Sequence, residues 1–406
     1  MVQLGGTEVR TAILALASAA SLSLAPAAMA VDVKIGVLND RSGVYADLSG
    51  EGSVIAARMA VEDFDAAAKG VNVEIVSADH QNKPDVASNI ARQWFDTDGV
   101  DIIVDVPTSS AALAVNEIAR EKNKIFLNSG AATTDLTGKA CAPATSHWTY
   151  DTYALANGTG RAMVEAGGDT WFFITADYAF GHSLEENTTA VVEEAGGQVL
   201  GAVRHPFPGQ NFDSFVLQAQ ASGAEVIGLA NAGGDTVNAI KAASAFGITQ
   251  GGQALAGLLV FLTDVHALGL QTAQGLVLTE SFYWDLNDQT REWSKRFAEK
   301  GDGDMPTMVQ AGVYAGVLHY LKAVEATGGK DPTAIMAKMK EMPTDDPLFG
   351  KGSVRVDGRK IHDMYLFKVK APDQSKGAWD YYELVSTIPA DKAFRPLADG
   401  GCELAK

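Results

Sequence analysis

The chain has 406 residues, 47% of them hydrophobic and 20% charged, with a formal net charge of −18. That is the composition of a globular protein with room for two domains. The acidic balance excludes the basic stripe that nucleic acid demands and argues against an anionic membrane surface as partner.

Near the start, Arg10 precedes an apolar run over 11–24, followed by Pro26 and the small-residue site Ala28-Met29-Ala30. This pattern predicts a secretory signal peptide over 1–30, cleaved before Val31, and so an exported protein. The run is shorter than the roughly 20 apolar residues a bilayer span requires. In an oxidising compartment the two cysteines, Cys141 and Cys402, are expected to pair, with two buried free thiols as the alternative.

Short runs rich in β-branched residues predict strands at 33–38, 71–76, 102–104 and 125–127. Three- and four-residue apolar spacing predicts helices between them at 54–68, 85–95 and 111–120. The order then restarts with a helix at 152–166, strands at 171–175, 199–203 and 226–230, and helices at 184–194, 212–221 and 235–246. Strands alternating with helices make a parallel sheet covered on both faces, so the chain reads as two α/β lobes with a boundary near 147–152. Further strands are predicted at 258–261 and 275–279, and helices at 289–300, 308–326 and 332–340. Those helices carry no strand between them and are expected to pack on a lobe already built. A final strand pair, 352–356 and 364–369, flanks the turn Asp357-Gly358.

Ligands of open α/β sheets sit beyond the carboxyl ends of the strands, which directs attention to the loops there. "NDRSGVYADLSGEG" follows the first strand, "VPTSS" the third and "NSGAATTDLTG" the fourth, with "ADYAFGHS" and "NAGGDT" in the second lobe. Gly50-Glu51-Gly52 has Ile55 where a phosphate loop needs its third glycine, and no Walker sequence or nucleophile elbow occurs. The seven histidines form no metal-binding pair, and two cysteines do not make a zinc site alone. His182 reads as a helix-start or surface residue before a functional one. No catalytic residue, metal or cofactor is expected. The loops offer hydroxyls at Thr108, Ser109, Ser110, Ser129, Thr133 and Thr134, and aromatic surface at Tyr45, Trp148, Tyr150, Tyr153, Tyr178, Phe180 and Phe282-Tyr283-Trp284. Neutral donors and helix N-termini suffice to hold a carboxylate, and aromatic walls to enclose its body.

The signal peptide, "VKIGVLNDRSGVYADLSG", "VPTSS", "NSGAATTDLTG", "HWTYDTYALANGTG" and "TADYAFGHSLE" together resemble the periplasmic substrate-binding proteins of ABC transporters, of the leucine/isoleucine/valine-binding type. The resemblance implies two doubly wound parallel-sheet lobes joined by three crossings, a type I fold, with hinge closure on a ligand held between them. It implies a first lobe of 31–150 and about 281–350, a second of 151–280 and about 351–390, and a tail over 391–406 tied to the first lobe or hinge. It also implies a periplasmic monomer that delivers its ligand to membrane permease subunits. Carried over residue by residue, Thr108, Ser109, Ala131 and Thr133 would hold the ligand's carboxylate, with Tyr45, Tyr150, Phe180 and Asn231 lining the cleft. Where amino-acid binders place a glutamate for the ligand ammonium, this chain reads Phe261-Leu262-Thr263-Asp264. Either Asp264 or Asp235 could take that role. The missing glutamate, with "HWTYDTYAL" and "SFYWDLND", is similar to a subgroup that binds aromatic carboxylates such as benzoate and phenylpropanoid acids, and that class is expected here. Branched-chain or other amino acids are the alternative, ahead of a periplasmic hydrolase or a ligand-sensor domain.

Overall fold

The computed structural model describes residues 1–3, 5–6 and 30–406. Most of the expected signal peptide, residues 7–29, lies outside the described residues.

Strands β1 (Val31–Asn39), β2 (Val71–Asp79), β3 (Ile102–Asp105), β4 (Ile125–Asn128) and β5 (Thr145–His147) form a parallel sheet in the order β2-β1-β3-β4-β5. Helices α1 (Gly50–Phe64), α2 (Pro84–Asp96) and α3 (Ser109–Lys122) connect the first four strands. β3 and β4 are buried along their whole length, as strands covered on both faces must be. The chain then passes through Trp148 and Tyr150 into α4 (Thr152–Leu155), a π turn at Ala156–Gly160 and α5 (Arg161–Glu165). The helix expected at 152–166 widens there, and Gly158 lies against Thr279, where a Cβ would fall 2.2 Å from the Thr279 hydroxyl.

The second lobe contains β6 (Thr170–Ala176), α6 (Ala179–Glu194), β7 (Gln198–His205), α7 (Asp213–Ala221), β8 (Val226–Ala230), α8 (Gly234–Ala245), β9 (Ala254–Gly257), α9 (Leu262–Leu268), α10 (Leu270–Ala273) and β10 (Val277–Glu280). The chain next returns to the first lobe as α11 (Asp288–Lys300), α12 (Met308–Thr327) and α13 (Pro332–Glu341). The α12 helix is buried on nearly every side over 308–324 and packs on α1, with the Tyr314 hydroxyl donating to Asp63 at 2.8 Å. A helix apolar all round belongs inside a core, and this one fills the face of the sheet opposite α2 and α3.

Two strand expectations need correction. The run 258–261 is not a strand: β9 ends at Gly257, where a Cβ would lie 2.5 Å from the Val260 side chain, so the backbone turns at once. Leu259 and Phe261 face the space between the lobes while Val260 packs into the second lobe's core, and burial on both sides mimics the signal of a strand. The expected pairing of 352–356 with 364–369 is also absent among the described residues. Instead β11 (Thr344–Asp346), β12 (Gly350–Val354) and β13 (Lys360–Ile361) form a small antiparallel sheet, closed by a tight turn at Gly358 with φ of 87°. Strand β14 (Met364–Val369) pairs with β10 and with β15 (Tyr382–Ile388), which completes a seven-stranded sheet in the order β15-β14-β10-β9-β8-β6-β7. Residues 362–363 connect this small sheet to the seven-stranded one.

Arg359 joins two of the crossings. Its buried guanidinium donates to the carbonyls of Trp148 at 2.7 Å and Tyr150 at 2.9 Å, lies 3.5 Å from the Asp151 carboxylate, and sits 4.4 Å above the Phe394 ring. The tail runs through α14 (Ala390–Ala393), and Cys402 is bonded to Cys141 in the first lobe.

Candidate functional site

Between the lobes, one cavity is lined by Tyr45 and Leu48 after β1, Pro107 after β3, Gly130 and Ala132 after β4, and Tyr150 at the crossing. Tyr178 and Phe180 after β6, Ala232 after β8, and Leu259 and Phe261 after β9 complete it. Every lining loop but the crossing follows the carboxyl end of a parallel strand, where this architecture puts its ligands. The space enclosed is about 10 Å³, room for the centre of one water.

The lobes are in contact. The Tyr45 and Tyr178 hydroxyls share a hydrogen bond of 2.6 Å across the cleft, and the Gly234 N–H donates to the Val44 carbonyl at 3.1 Å. Phe207, absent from the sequence expectations, stacks on Tyr178 at 4.1 Å and reaches Tyr45 at 5.4 Å. Burial pushes the Tyr45, Tyr150 and Tyr178 hydroxyls well above the usual phenol range, so all three stay protonated; Tyr150 donates to the Gly130 carbonyl at 2.5 Å, and the Tyr45–Tyr178 pair keeps one O–H free to donate.

Four of the residues expected from sequence line this cavity: Tyr45, Tyr150, Phe180 and Phe261. The other five stand one position away from it, or two for Ser109, and hold its walls. The Thr108 hydroxyl donates to Asn82, whose amide donates in turn to Asp40. Asp40 also accepts the N–H groups of Gly43 at 2.8 Å and Tyr45 at 2.9 Å, which fixes the loop that presents Tyr45. Ser109 accepts the Thr133 N–H at 3.3 Å, Thr133 caps the following turn through the Asp135 N–H at 3.3 Å, and the Ala131 N–H donates to Asn128 at 3.1 Å. Asn231 is bound to His205 at 3.2 Å and to Thr236 at 2.6 Å. Their small neighbours Pro107, Gly130, Ala132 and Ala232 face the cavity instead. Among the described residues, the N–H groups of Gly130 and Ala132 donate to no protein acceptor, and the first-turn N–H groups of α3 have no partner within the helix. His182 is 2.7 Å from Asp177, outside the cavity.

The wall near Gly130 is under strain. Asp105 and Val106 have φ of 80° and 57°, a region costly for any residue with a Cβ and most of all for a β-branched one. Asp105 accepts hydrogen bonds from Ser49 at 2.7 Å, Asn39 at 3.1 Å and Ser129 at 3.3 Å, while burial raises its pKa. This network holds the strand tip so that Pro107, just before the cap of α3, reaches the cavity.

Of the two acids considered for an ammonium, Asp264 accepts the Phe261 N–H at 2.9 Å and borders a separate cavity of about 230 Å³ with Asp47 and Thr263. Asp235 accepts the Gly209 N–H. Neither lines the cavity enclosed by Tyr45, Tyr150 and Tyr178. Burial pushes Asp264 up to about 7, with Asp47 of the other lobe adding to the shift. A raised carboxyl contributes stability that is complete below its unfolded value of about 4 and is lost as pH rises to the folded value. Wild type should therefore lose about 3 kcal/mol between pH 5 and pH 8 that Asp264→Asn does not lose. Denaturant unfolding of both proteins at the two pH values measures this, and parallel pH curves would refute it.

The chain matches the family described as periplasmic binding protein over residues 32–378. A periplasmic binding protein from Burkholderia mallei has 52% identity and a TM-score of 0.90, with 92% of this chain and 99% of that one covered. A branched-chain amino acid ABC transporter periplasmic ligand-binding protein from Burkholderia xenovorans has 42% identity and a TM-score of 0.82, with 92% and 100% covered. A solute-binding protein from R. palustris, in complex with 4-hydroxybenzoate, shares the fold at 23% identity and a TM-score of 0.80, over 88% and 97% of the two chains.

Proposed function

The chain belongs to the periplasmic binding protein family and is the binding component of an ABC transporter of the branched-chain amino acid type. From that premise we propose that its ligand is a carboxylate with a compact apolar or aromatic body and no ammonium group, an acid of the benzoate kind. Proteins of this family bind small molecules and pass them to permeases, and are not enzymes; the family implies a periplasmic location.

One observation carries the reading of the ligand: no carboxylate stands among the eleven residues lining the cavity. An ammonium enclosed there would lose its hydration with no charged partner, at a cost of several kcal/mol. To reach Asp264 it would have to pass Leu48, which separates the two cavities. A carboxylate, in contrast, would meet the N–H groups of Gly130 and Ala132 and the one O–H that the Tyr45–Tyr178 pair leaves free, neutral donors that stabilise an anion. The apolar body would lie against Leu48, Phe180, Leu259 and Phe261. A ring requires Tyr45 or Tyr178 to move aside, whereas a shorter aliphatic acid asks for less displacement.

The ligand acts by population shift. It gains contacts from both lobes only when they meet, so it favours the closed arrangement by the difference in affinity. The liganded monomer is then the form presented to the permease. The name borne by the Burkholderia xenovorans neighbour favours an amino acid as the second reading. Thermal unfolding with benzoate-type acids, short aliphatic acids, leucine and valine separates the two. At a hundred times its Kd a ligand stabilises by about 2.7 kcal/mol, a rise of several degrees. The expected result is a rise with one or more acids that lack an ammonium and none with leucine or valine. The reverse pattern would overturn the reading.

A further inference from the structure

The loop that follows β7 carries Phe207 over the cleft, and the fastening of this loop is unusual. Asp235, in the first turn of α8, is fully buried, and both of its oxygens accept the N–H of Gly209, at 3.0 and 3.1 Å. Gly209 is pressed into place: a Cβ there would lie 2.7 Å from the Phe212 ring and 3.1 Å from His205. On the other side of the same carboxylate, His205 Nδ1 is 3.8 Å away and 2.9 Å from the Pro206 carbonyl, while His205 Nε2 meets Asn231 at 3.2 Å. Asn231 is held in turn by the Thr236 hydroxyl. Phe207 lies two residues from Gly209 and packs on Tyr178 of its own lobe and Tyr45 of the other.

We infer that Asp235 is the positioning residue of an aromatic latch, holding the loop after β7 so that Phe207 closes over Tyr178 and Tyr45 and seals the cleft. A buried carboxylate is costly, and an apolar side chain would fill the site at no such cost. What the carboxylate supplies is direction, because two oxygens on one N–H fix the loop at Gly209. Asp235 thereby joins two of the second-lobe loops that meet the first lobe: 206–211, which carries Phe207, and 231–235, whose Gly234 binds the Val44 carbonyl. The surface offered to Tyr45 moves as one piece. This inference rests on the reading of the cleft as one that closes, and is independent of the ligand's class.

Hydrogen exchange on the full-length, ligand-free protein tests it with Asp235→Asn and Phe207→Ala. In Asp235→Asn the Gly209 amide should exchange at least tenfold faster, those of 43–48 should follow, and strand β8 beside them should keep its protection. In Phe207→Ala the 43–48 loop should loosen while Gly209 stays protected, which separates the latch from its fastening. Unchanged protection of Gly209 in Asp235→Asn, or of 43–48 in Phe207→Ala, would overturn the inference. So would a general loss of protection that includes β8, which would make Asp235 a structural residue only. Because no ligand is added, a failure of the ligand screen and a failure here are distinguishable.

Discussion

Gly233→Ala should abolish tight closure and lower affinity for the ligand on the order of 100-fold, about 3 kcal/mol, while leaving each lobe folded. Gly233 precedes α8 with φ of 58° and ψ of −136°, a combination that suits glycine. A Cβ there would lie 2.4 Å from the Val44 carbonyl and 3.0 Å from the Tyr45 ring, both in the first lobe. To reach ordinary contact the lobes must part by about 1 Å, which stretches the Gly234–Val44 and Tyr45–Tyr178 hydrogen bonds beyond use. The backbone strain is present whether the cleft is open or shut and costs about 1 kcal/mol or more of stability. The clash is present only when it is shut, so affinity should suffer far more than the unfolding midpoint. Gly234→Ala is the control: its Cβ would meet Val44 no nearer than 3.3 Å, with the Val44 Cα at 3.7 Å, and φ is not positive. Calorimetric titration of the three proteins with the acid found by thermal screening decides the matter. An affinity for Gly233→Ala within threefold of wild type would show that closure does not bring these residues together.

Loss of the Cys141–Cys402 bond should be the costliest change to stability. The bond spans 261 residues, and the chain-entropy estimate for a loop of that length is about 5 to 6 kcal/mol. Part of the tail remains docked without it: Arg395 donates to the Thr134 carbonyl at 3.2 Å, Arg355 donates to the Arg395 carbonyl at 2.9 Å, and Phe394 packs on Arg359. Those contacts reduce the expected loss to about 3 to 5 kcal/mol, on the order of 10 °C in the midpoint. Scanning calorimetry of wild type with and without reductant, beside Cys141→Ser, measures it. Reductant should lower the wild-type midpoint to that of the variant and leave the variant unmoved. A wild-type midpoint that shifts by less than about 2 °C on reduction would rule the tether out as a source of stability.

The two-lobed architecture was legible because it is written in local terms: β-branched runs alternate with amphipathic stretches, and the alternation restarts after residue 150. The third crossing was less so. Gly358 closes a hairpin on Lys360–Ile361 rather than on 364–369, and only Arg359 reaching the Trp148 and Tyr150 carbonyls makes that choice evident. The cavity was legible in its aromatic residues and displaced by one position elsewhere. Hydroxyl and amide side chains such as Thr108 and Asn231 attract attention in a sequence, yet here they are spent on loop geometry, and the walls they support are Pro107 and Ala232. Small residues carry no chemical signal until the backbone around them is seen. Leu259 and Phe207 were hidden for another reason. Each matters through contacts with residues distant in sequence, which periodicity does not encode.

The tether between Cys402 and Cys141 also bears on how the molecule could be made to report its ligand. Val31 starts β1 in the first lobe and Cys402 is bonded into the same lobe, so fluorophores attached at these two points ride on one body and are blind to domain motion. A donor near the tail needs its acceptor on the far lobe. The exposed turn at Gly251–Gly252, remote from the cleft, offers that attachment point, and the tail's own anchorage then becomes the fixed arm of the sensor.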